Sequence, residues 1–220
     1  RVPKAVQTLA NCILERIPED RKLSKMWQPR DDEGYVQRVI AIEDVPLEQG
    51  TWLVLGRTHS KLESLKDNLK ERGIYYEYKN RKSYRQRLFR NILNYTRWTN
   101  GDKLSLTECK DLFEFLELEW VQTEERLYGL EEFGFSFTDN WYEVFKSDPE
   151  ESLYIRQMLS NGEKLNDTAR VKLSTIHAAK GGEADNVLLI LDNTKKIREA
   201  VEKNQDKRDF FPCLSVIITN

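Results

Sequence analysis

Between residues 52 and 78 the sequence reads strand, helix, strand, and that order leaves few folds open. Trp52-Leu53-Val54-Leu55 is a short apolar run closed by Gly56. Ser60-Lys61-Leu62-Glu63 has the spacing of a helix capping box, Leu62, Leu65 and Leu69 recur at helical spacing, and Gly73 stands where a helix ends. Ile74 to Tyr78 then returns to strand character. A helix that buries one apolar stripe between two strands is accommodated by a parallel pair with a right-handed crossover. Further strand-like runs occupy 35–43, 171–174, 187–191 and 214–219, with a helix expected over about 195–203. At the start, Val6, Leu9, Ala10, Ile13 and Ile17 share one face of a predicted helix over 3–17, which opens at Pro3 and stops before Pro18.

From 81 to 167 the pattern is helical, with Leu88, Ile92 and Tyr95 and then Leu112, Phe113, Leu116 and Trp120 at helical spacing. The expected organisation is therefore an α/β domain, 1–80 and 168–220, interrupted by a helical insertion at 81–167. The 220 residues are 39% hydrophobic and 33% charged, which excludes disordered, collagen-like and low-complexity chains. The aliphatic run Val187-Leu188-Leu189-Ile190-Leu191 is far short of the roughly 20 residues of a membrane helix, so no membrane partner is expected. Cys12, Cys109 and Cys213 form no metal-binding or disulfide spacing, which fits a reducing cytoplasm. The chain opens without Met and stops in an apolar stretch, so it reads as an excised piece.

Net charge is −2, but charge is unevenly distributed. Residues 79–103 hold eight bases against one acid, and 108–151 hold fourteen acids against three bases. Such blocks are either solvated faces or a module that grips phosphates with one side. Trp98, Trp120, Trp141 and Tyr95, in the same stretch, are expected to pack in a core, with base stacking as the alternative.

The densest chemistry lies in Thr175-Ile176-His177-Ala178-Ala179-Lys180-Gly181-Gly182-Glu183, between two predicted strands. Open α/β sheets bind ligands at such strand ends. Gly181-Gly182 permits close backbone approach to a phosphate or sugar, Lys180 brings a point charge, and Glu183 can accept from a ribose. Gly56-Arg57-Thr58-His59-Ser60 is a second candidate, placed where a helix N-terminus favours anions. His59 and His177 lie 118 positions apart with no ligand spacing to Cys or to each other, so no metal site is expected. Neither G-x-x-x-x-G-K-[ST] nor G-x-G-x-x-G occurs, so the chain cannot by itself build a standard phosphate cradle.

These residues resemble the UvrD/Rep/PcrA-type DNA helicases of superfamily 1. Residues 171–191 are similar to the family's motif V, a strand followed by T-[IL]-H-x-[AS]-K-G-x-E and a second strand. Residues 52–78 resemble its strand, R-[ST]-N, helix and G-I-x-Y segment, and 1–14 its motif IV stretch, beginning at the arginine. The resemblance implies a RecA-like parallel sheet flanked by helices, interrupted by an α-helical insertion subdomain: the second, C-terminal half of an ATP-dependent helicase that tracks on single-stranded DNA.

Residue by residue, it implies that Arg1 reaches the ATP γ-phosphate, that Glu183, with Gly182, lies near the ribose, and that Arg57, Thr58, His59, Thr175, His177 and Lys180 face DNA. His59 stands where the family carries Asn. The 214–220 stretch has the outline of motif VI, with Asn220 where an arginine finger belongs. ATP and Mg²⁺ would be held mainly by an N-terminal RecA-like domain, so this piece alone is expected to be inactive. The insertion could recruit an accessory protein. The rival expectation is a non-catalytic, degenerate helicase-like module that recruits a protein or nucleic acid.

Overall fold

The computed structural model describes residues 2–15, 17–21, 27–134, 138, 140–179, 182–191 and 214–218. In chain order these form α1 (Lys4–Leu14), β1 (Tyr35–Val39), β2 (Trp52–Gly56), α2 (His59–Glu71), β3 (Tyr76–Tyr78), β4 (Arg81–Lys82), α3 (Gln86–Thr99) and β5 (Leu104–Ser105). There follow α4 (Leu106–Phe115), β6 (Leu127–Tyr128), α5 (Trp141–Val144), α6 (Pro149–Ser160), β7 (Val171–Thr175), β8 (Asn186–Ile190) and β9 (Leu214–Ile218). The chain divides into two compact units, Arg1–Arg81 with Lys164–Asn220, and Lys82–Glu163. Among the described residues no helix is long and apolar enough to cross a membrane.

The first unit is a mixed α/β layer whose sheet runs β1-β9-β8-β2-β7-β3-β4 among the described residues. At its centre β8, β2, β7 and β3 are mutually parallel, with Trp52 opposite Val171 and Asn186, and Tyr76 opposite Val171. The side chains alternate. Trp52, Val54, Val171, Leu173 and Leu188 are buried on one face, where Leu62, Leu65 and Leu69 of α2 are buried as well. Leu53, Leu55 and Ser174, on the other face, are half-buried.

The expected all-parallel sheet is corrected at one side. β9 pairs antiparallel with both β8 and β1, so β1 runs in the same direction as the parallel core. Strand direction follows from the path of the connections, which residue alternation does not encode, and an antiparallel member is common in such sheets.

Two local readings also change. The Ser60-to-Glu63 capping box is not made: Thr58, extended at φ −131°, is the N-cap and makes no side-chain cap bond, while Glu63 is taken by Lys66 at 2.6 Å. The predicted strand over 35–43 stops at Val39, and Ile42–Asp44 turns as a 3-10 helix. The C-terminus of α2 is as read. Gly73, at φ +62°, donates to the Lys70 carbonyl and Ile74 donates to that of Leu69, closing the helix with the paired bonds of a Schellman motif. The first helix ends at Leu14, and its apolar stripe runs out into solvent, with Ile13 54% exposed.

The second unit has an aromatic core. Trp98 and Tyr128 are fully buried and Tyr95 is 1% exposed. Trp120 stands edge-on to Phe113 at 4.8 Å and to Tyr128 at 5.0 Å. Tyr95 donates to the Thr138 carbonyl and Trp98 to that of Tyr128. Trp98, Tyr95 and Trp141 are therefore core rings, and their burial overturns the base-stacking alternative for them. The helical reading of this region also missed a small antiparallel ladder, β5 with β6.

Candidate functional site

The two candidate segments are neighbours. β2 and β7 are parallel and in register, so Gly56 lies opposite Thr175 and both strands end at the same edge of the sheet. The ladder continues one bond further, Ile176 N–H donating to the Gly56 carbonyl at 3.1 Å. Arg57, Thr58 and His59 leave that edge as the entry to α2, and Thr175, Ile176 and His177 leave it alongside. Arg57, His59 and His177 are exposed, and Thr58 and Thr175 are half-buried.

Close packing holds the edge together. A Cβ on Gly56 would sit 3.0 Å from Leu62 Cγ and Cδ2 and 3.3 Å from the Thr58 carbonyl oxygen, so α2 can approach β2 only because that residue is glycine. Thr175 has a structural task of its own. Its Oγ1 accepts from Ala178 N–H at 3.3 Å and its carbonyl accepts from Ala179 N–H at 3.0 Å, so it caps the turn that carries His177.

Glu183 is not part of this cluster. β8 starts at the opposite edge of the sheet, so the connection from Thr175 to Asn186 must cross a sheet face, and its described residues form no helix. Gly182 lies over that face, where a Cβ would be 3.1 Å from the Ala179 carbonyl oxygen and 3.5 Å from Leu53 Cδ2. The crossing is pinned at the far edge by Thr51. Its hydroxyl and its N–H donate to Asp185 Oδ2 at 2.7 and 3.2 Å, and Asp185 N–H donates back to the Thr51 hydroxyl at 2.9 Å. Those two donations to its carboxylate hold Asp185 below the usual aspartate range. Gly182 and Glu183 therefore belong to the crossing, and Arg57 to His59, Thr175 and His177 belong to the edge. Spacing alone groups 175–183 as one strand-end loop, because it does not tell how far ten residues travel.

A cleft of about 300 Å³ opens where the crossing leaves the sheet, lined by Leu53, Glu77, Lys79, Lys172, Ser174 and Gly182, among others. Sequence reasoning missed the Thr51 to Asp185 clamp and also Tyr78. The Tyr78 hydroxyl lies 2.8 Å from His59 Nδ1, and Lys66 Nζ sits 3.9 Å from the centre of the Tyr78 ring. Lys66 donates to Glu63 and holds that carboxyl below its usual range. No sequence signal marks such a cluster, since the end of β3 and the first two turns of α2 meet only in the fold.

Arg1, Lys180, Gly181, Cys213, Asn220 and the helix expected over 195–203 lie outside the described residues. Among the described residues there is no group of three or more His, Cys, Asp or Glu able to hold a metal ion. No protein-family model, curated protein or solved structure matches the chain.

Proposed function

We propose that this chain is the second RecA-like domain of an ATP-dependent superfamily 1 DNA helicase, interrupted by an α-helical subdomain, and that its sheet edge grips single-stranded DNA. The observation that carries this reading is the juxtaposition of Arg57, Thr58 and His59 with Thr175 and His177 at the ends of two paired parallel strands. Donors from both segments leave the same edge of the sheet, as a track along a sugar-phosphate backbone requires. Glu183 and Gly182, separated from that edge by the crossing, are assigned to the nucleotide side. An exposed carboxylate beside a small residue suits a ribose.

ATP, when bound in the cleft against the N-terminal domain, supplies the phosphoryl group whose hydrolysis drives the cycle. This chain's own residues contribute around it. Arg1 would neutralise charge and Glu183 would orient the sugar, while Lys180 would join the DNA contacts. The cradle and the Mg²⁺ ligands belong to the other domain, so the 220 residues alone should turn over no ATP.

The experiment is fluorescence anisotropy of labelled single-stranded DNA with the 220-residue chain, across a salt series. Arg57→Ala should weaken binding and reduce the salt slope by about 0.7, as loss of one single-strand phosphate contact does. His177→Ala should weaken binding several-fold. If neither variant changes affinity, the site assignment fails, and the rival, a non-catalytic module that recruits a protein or nucleic acid, becomes the better description.

A further inference from the structure

His59 opens α2 at the gripping edge, and its imidazole is already engaged by the protein. Nδ1 lies 2.8 Å from the Tyr78 hydroxyl, and the two rings meet edge-on, 5.8 Å apart at 76°. Tyr78 is itself held in place. Lys66 Nζ lies 3.9 Å and Lys79 Nζ 5.1 Å from the centre of its ring, and Lys66 is tied to Glu63. A neutral imidazole carries one proton, and which nitrogen holds it is set by the bond the other makes. A phenol O–H is a better donor than an imidazole N–H, and a bare imidazole nitrogen is a better acceptor than a phenol oxygen. The favoured direction is therefore Tyr78 O–H donating to His59 Nδ1. That leaves the proton on Nε2, an atom with no hydrogen bond among the described residues, on a side chain exposed to solvent.

We infer that Tyr78 is the positioning residue of His59: it fixes the imidazole as the Nε2–H tautomer and presents that N–H at the sheet edge as a single donor to an acceptor oxygen or nitrogen of a nucleic acid strand. The DNA part rests on the function proposed above; the tautomer does not. An asparagine at position 59 would present an amide N–H without help, whereas a histidine needs its second nitrogen occupied to be held as a donor. Glu63 is the competitor for the hydroxyl proton. If its carboxylate took that proton, Tyr78 would accept from Nδ1–H and Nε2 would face outward as an acceptor. Lys66, at 2.6 Å, is the principal partner of that carboxylate, ahead of the Tyr78 hydroxyl.

The chain has two histidines, so long-range ¹⁵N NMR on the 220-residue protein resolves both, with His177→Gln identifying the second. His59 in the neutral state should show a protonated Nε2 and a bare Nδ1, and Tyr78→Phe, with an unchanged circular dichroism spectrum, should collapse this to a tautomer mixture. Binding to a labelled oligothymidylate should weaken about threefold to tenfold in Tyr78→Phe, as loss of one fixed donor does, and this effect should vanish in a His59→Asn background. An Nδ1–H tautomer in the unaltered protein, a tautomer indifferent to Tyr78→Phe, or an equal loss of affinity in the His59→Asn background would each overturn the inference. An unaltered chain that shows the expected tautomer and binds no oligothymidylate would remove the proposed function and leave the assignment of Tyr78 supported.

Discussion

At Gly56 a single hydrogen atom in place of a methyl sets how closely α2 can sit on β2. The contacts a Cβ would make, 3.0 Å to Leu62 Cγ and Cδ2 and 3.3 Å to the Thr58 carbonyl oxygen, are tighter than ordinary packing. Leu62 is fully buried and cannot swing away, and the Thr58 oxygen belongs to the backbone that leads into His59. Gly56→Ala should therefore destabilise the chain by about 1–3 kcal/mol, the usual cost of overpacking, read from the midpoint of urea unfolding. Leu62→Ala in the same chain should remove part of that penalty, because the two changes share one contact. If Gly56→Ala unfolds at the same urea concentration as the parent, the helix is not held at this distance. The residue bears on the proposed DNA grip through Arg57 and His59, whose positions follow from where α2 begins.

Among the elements, α3 and α4 show how a polarised sequence becomes a neutralised structure. Arg87 donates to Asp111 and to Glu114, Arg90 donates to Asp111 at 2.8 Å, and Arg97 bridges Asp102 and Glu108. Four arginines of the basic block, Arg85 among them through Glu151, are thus engaged by acids of the same unit. Asp111 is the hub, because it also accepts from the fully buried Asn91 at 2.7 Å. Burial pushes its carboxyl up, but the bonds from Arg90, Asn91 and Arg87 outweigh that and hold it below the usual aspartate range.

Its folded value lies below its unfolded value of about 3.9. Asp111 therefore contributes stability that is present above that pH and lost as pH falls through the lowered folded value. Asp111→Ala should cost about 2 kcal/mol at neutral pH, mainly by leaving one N–H of the buried Asn91 amide unpaired while the other keeps the Arg87 carbonyl, and should flatten the acid limb of a stability–pH curve. An unaltered acid limb would show that the hub is not coupled to folding. In the same helix Ser105 and Glu108 complete the reciprocal capping box that Ser60 and Glu63 do not. The motif needs its serine at the N-cap, and in α2 the N-cap falls two residues earlier, at Thr58.

For the molecule as a whole, the ladders of the parallel core close within the first unit. β2 pairs with β7 and β8, and β3 with β7, without using a residue of 82–163. Replacing 82–163 by a short Gly/Ser linker should therefore leave a protein that melts cooperatively and keeps the strand signal in far-ultraviolet circular dichroism. Loss of a cooperative melt would mean that the sheet needs the second unit to hold its core.

Local chemistry was enough to read most of what is local. The apolar stripe Leu62, Leu65 and Leu69 and the glycine stop at Gly73 specify α2, and the short apolar runs specify β2, β7, β8 and β9 within about a residue at either end, because side-chain period and turn chemistry act over a few positions. The residue types at 57–59 and 175–177 were likewise legible as candidate donors. What only the tertiary structure decided is which of them meet. The register of β2 against β7 brings 57 beside 176, the length of the crossing carries Glu183 away from that edge, and β9 turns antiparallel. Tyr78 came to His59, and the acids of α4 came to the arginines of α3, through packing between elements. The alternation of a strand encodes which face a side chain takes, but pairing partners, strand direction and the path of a loop are set by the cooperative burial of many faces at once.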